Sequence, residues 1–307
     1  HTCDLKICFL RAILEIRNFY SMLDIFQKAK QNNYAIGAFN ASNLEQLKAI
    51  VQAAQNLKSP IIISTSQGES NFIGKKQVKA LVDIWRQETG LDIILHLDHG
   101  KSLEVIKEAI EAGYDSVHFD GSKMPFEENL AITKQVVVLA RAKGINNVEG
   151  EIGYLRGGSS LREAVEVKQE DLTDPVQADK FIKETEVDSL AIAIGNIHGM
   201  NKDQNLENPH LFLDHLEKIN EQIGNKAFLV LHGASGTPEQ DIKKAIALGI
   251  VKVNINTELR LAYTQSLKKS LADNPQVITP YKLMPSVVKA VQAVVEEKIK
   301  LFGSDNS

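Results

Sequence analysis

The chain has 307 residues, of which 43% are hydrophobic and 24% charged, a composition that suits one large globular domain with a sizeable core. Its formal net charge of −4 offers no bulk attraction for nucleic acid or an anionic membrane surface, so an anionic ligand needs a local site. The only cysteines, Cys3 and Cys8, lie near the start, which excludes a disulfide framework or thiolate metal site in the body and fits a reducing cytoplasm.

Residues 1–21 make a poor secretory signal, because Lys6 and Arg11 interrupt the apolar run. No stretch of about 18 uncharged apolar residues follows, so no membrane span is expected. The expectation is an extension over 1–21 ahead of a natural start at Met22, or else an extra helix packed on the main domain or a partner subunit. The domain proper is then 22–307.

From there, short β-branched runs alternate with helical patterns. The runs are 34–40, 60–66, 92–99, 116–121, 147–153, 189–195, 228–233 and 250–256. Amphipathic segments at 43–57, 75–88, 102–112 and 125–142 lie between them. Thr237-Pro238-Glu239-Gln240 reads as a capping box with proline at the first helical position, opening a helix that Gly249 ends. A last helix is expected over about 285–301. Eight β/α units without a linker point to a single-domain α/β fold, the (β/α)8 TIM barrel. The missing GxGxxG after the first strand argues against a dinucleotide-binding sheet.

The polar residues gather at the strand ends: Asn40, Ser66, Asp98-His99, Asp120, Glu151, His232, Asn254 and Asn256, with His198 just beyond strand six. A barrel carries its active site on that rim. His99, His198 and His232 each precede a glycine, and three imidazoles around one open position make a catalytic zinc site. His96 and His118, within strands, read as supporting residues; His1, His210 and His215 read as peripheral. Asp98 can bind the metal or shuttle protons. Neighbouring strand residues point oppositely, so Asp98 and His99 share a site only if the backbone turns, and Gly100 is the candidate for that turn.

The small-residue loop 233–236 and the segment 254–257 follow strands seven and eight, where barrels place a phosphate cradle of backbone amides. Lys252 shares a strand face with Asn254 and Asn256. It reads as an inward lysine paired with Glu149, with a Schiff-base role as the alternative.

The strings IGAFNASNLEQLKAI (36–50), HLDHG (96–100), EGEIG (149–153), DSLAIAIGNIHG (188–199), LHGASG (231–236) and VNINTELR (253–260) resemble class II fructose-bisphosphate and tagatose-bisphosphate aldolases. The resemblance runs in order from about Met22 to the C-terminus. It implies reversible cleavage of a ketose 1,6-bisphosphate to dihydroxyacetone phosphate and glyceraldehyde 3-phosphate. It matches His99, His198 and His232 to the zinc ligands and Asp98 to the proton donor, with zinc polarising the substrate's C2 carbonyl. Asp120 and Glu151 match a second, non-catalytic metal position. Gly199, Gly233, Ala234, Ser235, Asn254, Ile255, Asn256 and Thr257 match the dihydroxyacetone phosphate cradle, and Ser66 a contact to the aldehyde half. A monovalent cation near the phosphate and a homodimer or homotetramer are also implied.

Two departures stand out. Family members often carry a glutamate directly after two glycines in the loop following strand five. Here Gly157-Gly158 leads into Ser159-Ser160, and the nearest acids are Glu163 and Glu166; either Glu163 replaces the glutamate from a shifted loop or that step is served differently. Asn256 stands where the family usually has aspartate. These changes point to the alternatives: a class II aldolase with a different aldehyde substrate, or a sugar-phosphate-binding barrel without catalysis. A barrel metallohydrolase is the other rival, but strand one ends Ala38-Phe39-Asn40 rather than in the His-x-His such sites commonly use.

Overall fold

The computed structural model describes residues 21–203 and 206–307; the expected extension therefore lies, save Ser21, outside the described residues. Ten strands run in chain order as β1 (Ile36–Asn40), β2 (Ile61–Ser66), β3 (Ile93–Gly100), β4 (Ser116–Phe119), β5 (Val148–Ile152), β6 (Gly157–Arg162), β7 (Ser189–Ile192), β8 (His198–Asn201), β9 (Phe228–Leu231) and β10 (Ile250–Ile255). Eight of them close a parallel ring in the order β1-β2-β3-β4-β5-β7-β9-β10, with β10 paired back to β1. β6 and β8 leave the ring and pair with each other in parallel.

Ring strands are buried on both faces, which is why they read as nearly continuous apolar runs such as Ile61-Ile62-Ile63 rather than as alternating patterns. Seven of the eight runs anticipated from sequence contain one of them whole, and the run 92–99 stops one residue short of the end of β3 at Gly100. The fold is a (β/α)8 barrel.

One end of the ring is closed by apolar side chains. The first helix among the described residues, α1 (Met22–Gln31), begins with a reciprocal cap between Ser21 and Asp24. It turns Met22, Ile25, Phe26 and Ala29 onto Ile36, Ile62, Ile94 and Val251 from four ring strands. Phe26 is fully buried, with its ring edge-on to Phe228 at 5.5 Å. That plug leaves the opposite, polar rim as the open mouth.

Three local expectations need correction. Pro238 is itself the N-cap of the helix Glu239–Ala247, and no side chain caps it. Thr237 instead turns its hydroxyl back to the Gly233 carbonyl, 3.4 Å away. The last helix starts earlier, spanning Pro280–Phe302, with Pro280 in the first turn and Pro285 inside; burial of Leu283, Val287, Val291 and Val295 on one face holds it across that proline. The pairing of β6 with β8 was not anticipated, because GGSSLR lacks β-branched alternation. No helix among the described residues is long and apolar enough to cross a membrane.

Truncating the plug tests its role. Phe26→Ala is expected to lower unfolding stability by about 3–5 kcal/mol in denaturant titration, the usual cost of emptying a large core site. A loss below about 1 kcal/mol would mean that the plug is dispensable.

Candidate active site

The rim is built from strand ends, and β3 shows how two adjacent side chains come to face it. His99 adopts a left-handed backbone, with φ of 50°, and the β3–β4 register shifts between Leu97 and Gly100. The turn therefore sits at His99, not at Gly100 as expected from sequence. Gly100 has a different function: a Cβ there would meet the His118 carbonyl at 2.9 Å and Ile106 at 2.7 Å, so glycine permits close strand packing. A left-handed histidine is costly, and such strain clusters at functional sites.

Around this kink lies a shell of imidazoles and carboxylates. The ring centroid of His99 is 4.6 Å from that of His232 and 5.0 Å from that of His198. Nδ1 of His99 contacts Asp120 at 2.7 Å, and Nε2 of His232 contacts Glu149 at 2.7 Å. Their remaining nitrogens face inward, each near Asp98 Oδ1: His99 Nε2 at 3.8 Å and His232 Nδ1 at 3.7 Å. A carboxylate on the outer nitrogen fixes which nitrogen points in, as it does for metal-bound histidines. Ligand atoms of Asp98, His99, His118 and His232 all lie within 4.8 Å of one another, as do those of His99, Asp120 and Glu151. His198 stands at the edge, its ring 6.5 Å from His232.

The charge balance is uneven. Asp98, Asp120, Glu149 and Glu151 are all buried, against one fully buried ammonium, Lys252. Burial pushes the Asp98 carboxyl up, but the imidazoles of His99, His118 and His232 outweigh it and hold its pKa well below the usual range. Burial likewise works against charge on His99, yet Asp98, Asp120 and Glu151 raise its pKa. Burial, with His99 beside it, lowers His198 to about 3, leaving a neutral imidazole whose lone pair is available. Glu151 Oε2 and His118 Nε2 are 3.1 Å apart but neither makes a well-formed hydrogen bond. Surplus buried carboxylate, neutral imidazole and orphaned donor atoms together suit a divalent cation.

Lys252 Nζ contacts Glu149 at 2.6 Å and His96 at 3.0 Å, so it is paired with the expected carboxylate beneath the rim. His96 also contacts Ser116 at 2.8 Å.

The sequence-predicted cradle assembles on one side of the mouth. His99, His198, Gly199, His232, Gly233, Ser235, Asn254, Asn256 and Thr257 line one cavity with Asn40, Asp98 and Ser159. Thr257 opens a 17-residue helix, α10 in chain order (Thr257–Asp273), whose N-cap Asn256 makes no side-chain cap, so its first amides are free for an anion. Gly199 and Gly233 have φ of 86° and 64°; a Cβ on Gly199 would strike the carbonyls of Gly158 and Ser160. The segment β6 thus packs closely beside β8, with Ser159 lining the cavity that holds the imidazoles.

Comparison with known proteins decides the family. The family model described as "Fructose-bisphosphate aldolase class-II" matches residues 20–307. The chain belongs to the class II fructose-bisphosphate aldolase family. Similar proteins include the sulfofructosephosphate aldolase of Alkalicoccus urumqiensis, 40% identical over 92% of this chain and 96% of that protein. The fructose-bisphosphate aldolase of Geobacillus stearothermophilus is 38% identical over 92% and 96%. The crystal structure of the YdjI aldolase from Escherichia coli K12 superposes with a TM-score of 0.78 at 35% identity, covering 94% of this chain and 98% of that one. These class II aldolases differ in named substrate, so membership gives an aldolase without its sugar.

Within this aldolase framework the remaining candidates are placed as follows. Asp120 and Glu151 sit together on the far side of His99. Ser66 ends β2 opposite Asp98 in register and caps the next helix, Gln67–Ile73, reciprocally with Glu69. Ala234 and Ile255 are buried and do not line the cavity. Glu163 does not line the cavity; its side chain is 82% exposed and pairs with Lys202 at 2.9 Å.

Sequence reasoning missed four residues. Asn208 donates to the carbonyls of Gly199 and Ser235 at 2.8 and 2.7 Å, and Asn196 to that of His232 at 2.9 Å, tying the strand-end loops together. Glu69 and Arg260, joined at 2.6 Å, lie behind Asn40 and Asn256, which line the cavity. A lone asparagine or surface acid carries no local pattern, so only the fold reveals them.

Asp120→Asn tests whether the outer carboxylate sets His99. Zinc affinity, read by competition with a chromophoric chelator, is expected to fall about 10–100-fold; unchanged affinity would remove Asp120 from the centre.

Proposed function

We propose that this class II aldolase catalyses metal-dependent, reversible aldol cleavage of a ketose phosphate to dihydroxyacetone phosphate and an aldehyde. Fructose and tagatose 1,6-bisphosphates, which give glyceraldehyde 3-phosphate, are the reference substrates to which the motifs point. The observation that carries this reading is the inward pair of His99 Nε2 and His232 Nδ1, both close to one oxygen of Asp98.

His99, His198 and His232 would hold a zinc ion, which supplies Lewis-acid polarisation of the substrate carbonyl when bound. Asp120 and Glu151 would hold a second divalent ion, with a monovalent cation near the phosphate. Asp98 exchanges the proton of the C4 hydroxyl, taking it in cleavage and returning it in condensation. Its carboxylate is poised for this by the amide of Asn40 at 2.9 Å and that of Asn254 at 3.4 Å. The free amides at Thr257 and the turns at Gly199 and Gly233 hold the phosphate of the dihydroxyacetone half. β6, with Ser159 facing the cavity, excludes water from the reacting carbons. Lys252 stays an ion-pair partner of Glu149 rather than a nucleophile. We take the assembly to be a homodimer or homotetramer, as the resemblance implies.

Two measurements test this. Chelation is expected to abolish cleavage of the bisphosphates, and zinc or cobalt to restore it. Activity that survives chelation and is trapped by borohydride on Lys252 would instead establish a Schiff base. Asp98→Asn is expected to lower kcat by about 10²- to 10⁴-fold while ligand binding persists. Binding without cleavage in the parent protein would make it a non-catalytic sugar-phosphate barrel.

A further inference from the structure

The cavity wall formed by Asn40 and Asn256 is braced from behind by a carboxylate that the reaction above does not use. Glu69 is 6% exposed and collects donors from three separate segments. Its Oε2 accepts from Ser66 N at 2.8 Å and Asn40 Nδ2 at 3.0 Å. Its Oε1 accepts from Arg260 Nη2 at 2.6 Å and Asn256 Nδ2 at 3.5 Å. Asn40 Nδ2 also reaches Asp98, 2.9 Å away, so this wall borders the proton-exchanging group directly.

A second phosphate on the substrate would need donors on this side of Asp98. The Asn40 amide and the Ser66 N–H are already directed at an internal anion, and Arg260, which lies behind the lining, is paired with the same carboxylate. No lysine or arginine is among the described residues lining the cavity. A phosphate dianion here would also sit beside the Asp98 carboxylate with that of Glu69 behind it, and like charges juxtaposed at a binding surface repel.

The same wall presents unmet acceptors. Asn40 Oδ1 and Asn256 Oδ1 are buried without a hydrogen-bond partner. Buried acceptors call for donors, and a hydroxyl supplies one where an ionised phosphate supplies none.

We propose that Glu69 is a specificity-determining residue that directs this aldolase toward an uncharged, hydroxylated aldehyde rather than a phosphorylated one. The inference rests on the dihydroxyacetone phosphate reaction proposed above. In condensation, C3 of dihydroxyacetone phosphate loses a proton and bonds to the aldehyde carbon, whose oxygen gains one; the charge at the aldehyde's far end takes no part in the chemistry, so it acts through binding alone.

The experiment compares condensation of dihydroxyacetone phosphate with D-glyceraldehyde and with D-glyceraldehyde 3-phosphate, using zinc-loaded parent protein and Glu69→Gln. Glutamine keeps the reciprocal cap with Ser66 while removing the charge. The parent is expected to show the higher kcat/KM with D-glyceraldehyde, and Glu69→Gln to shift that ratio about tenfold toward the phosphorylated aldehyde. A parent that prefers glyceraldehyde 3-phosphate, or a ratio unmoved by the substitution, overturns the proposal while leaving the aldolase reaction standing. No condensation with either aldehyde overturns both.

Discussion

Everything at the open end of this barrel follows from a surplus of buried carboxylate among imidazoles. Four acids and one ammonium share a space from which bulk water is excluded, and an uncompensated ion in such surroundings is costly. The side chains meet that cost partly among themselves. Glu149 divides its two oxygens between Lys252 and His232, and Asp120 takes the outer nitrogen of His99. What these pairings leave over is directional: two ring nitrogens, the oxygens of Asp98 and an ill-satisfied Glu151–His118 contact all turn inward. A divalent cation would complete that set.

The scaffold makes this arrangement affordable by separating tasks along its axis. Apolar packing of α1 seals one end, and the polar strand ends crowd the other. Between them the ion pair of Lys252 with Glu149 sits at full burial, where breaking it would be far more destabilising than a surface pair. The rim residues are thus held from below by the packed core, with the paired β6 and β8 at the side of the mouth. The backbone kink at His99 is over-determined by the bulge in β3 and by close packing at Gly100.

Much of this was legible in the sequence, for physical reasons that differ by residue. Strands buried on both faces leave apolar runs, so eight of them could be found, and polar residues that end such runs stand out against them. His99, Asp98, His232 and the 254–257 segment were visible on that ground, and Lys252 with Glu149 could be matched because an inward charge needs a partner. The extra β6–β8 pair was not visible, since its Gly and Ser residues form a strand only by lying against another loop. Asn196, Asn208, Glu69 and Arg260 act across long sequence separations and leave no periodic trace. The kink was placed one residue late because glycine is the usual bearer of left-handed backbone, whereas here histidine carries it.

The most direct test of the central claim is X-ray absorption at the zinc edge on protein loaded with one equivalent of metal. Convergent imidazoles predict a low-coordinate shell at about 2.0–2.1 Å, with the outer-shell scattering that histidine rings produce. A shell of oxygen alone without imidazole scattering, or failure to retain one equivalent, would contradict it.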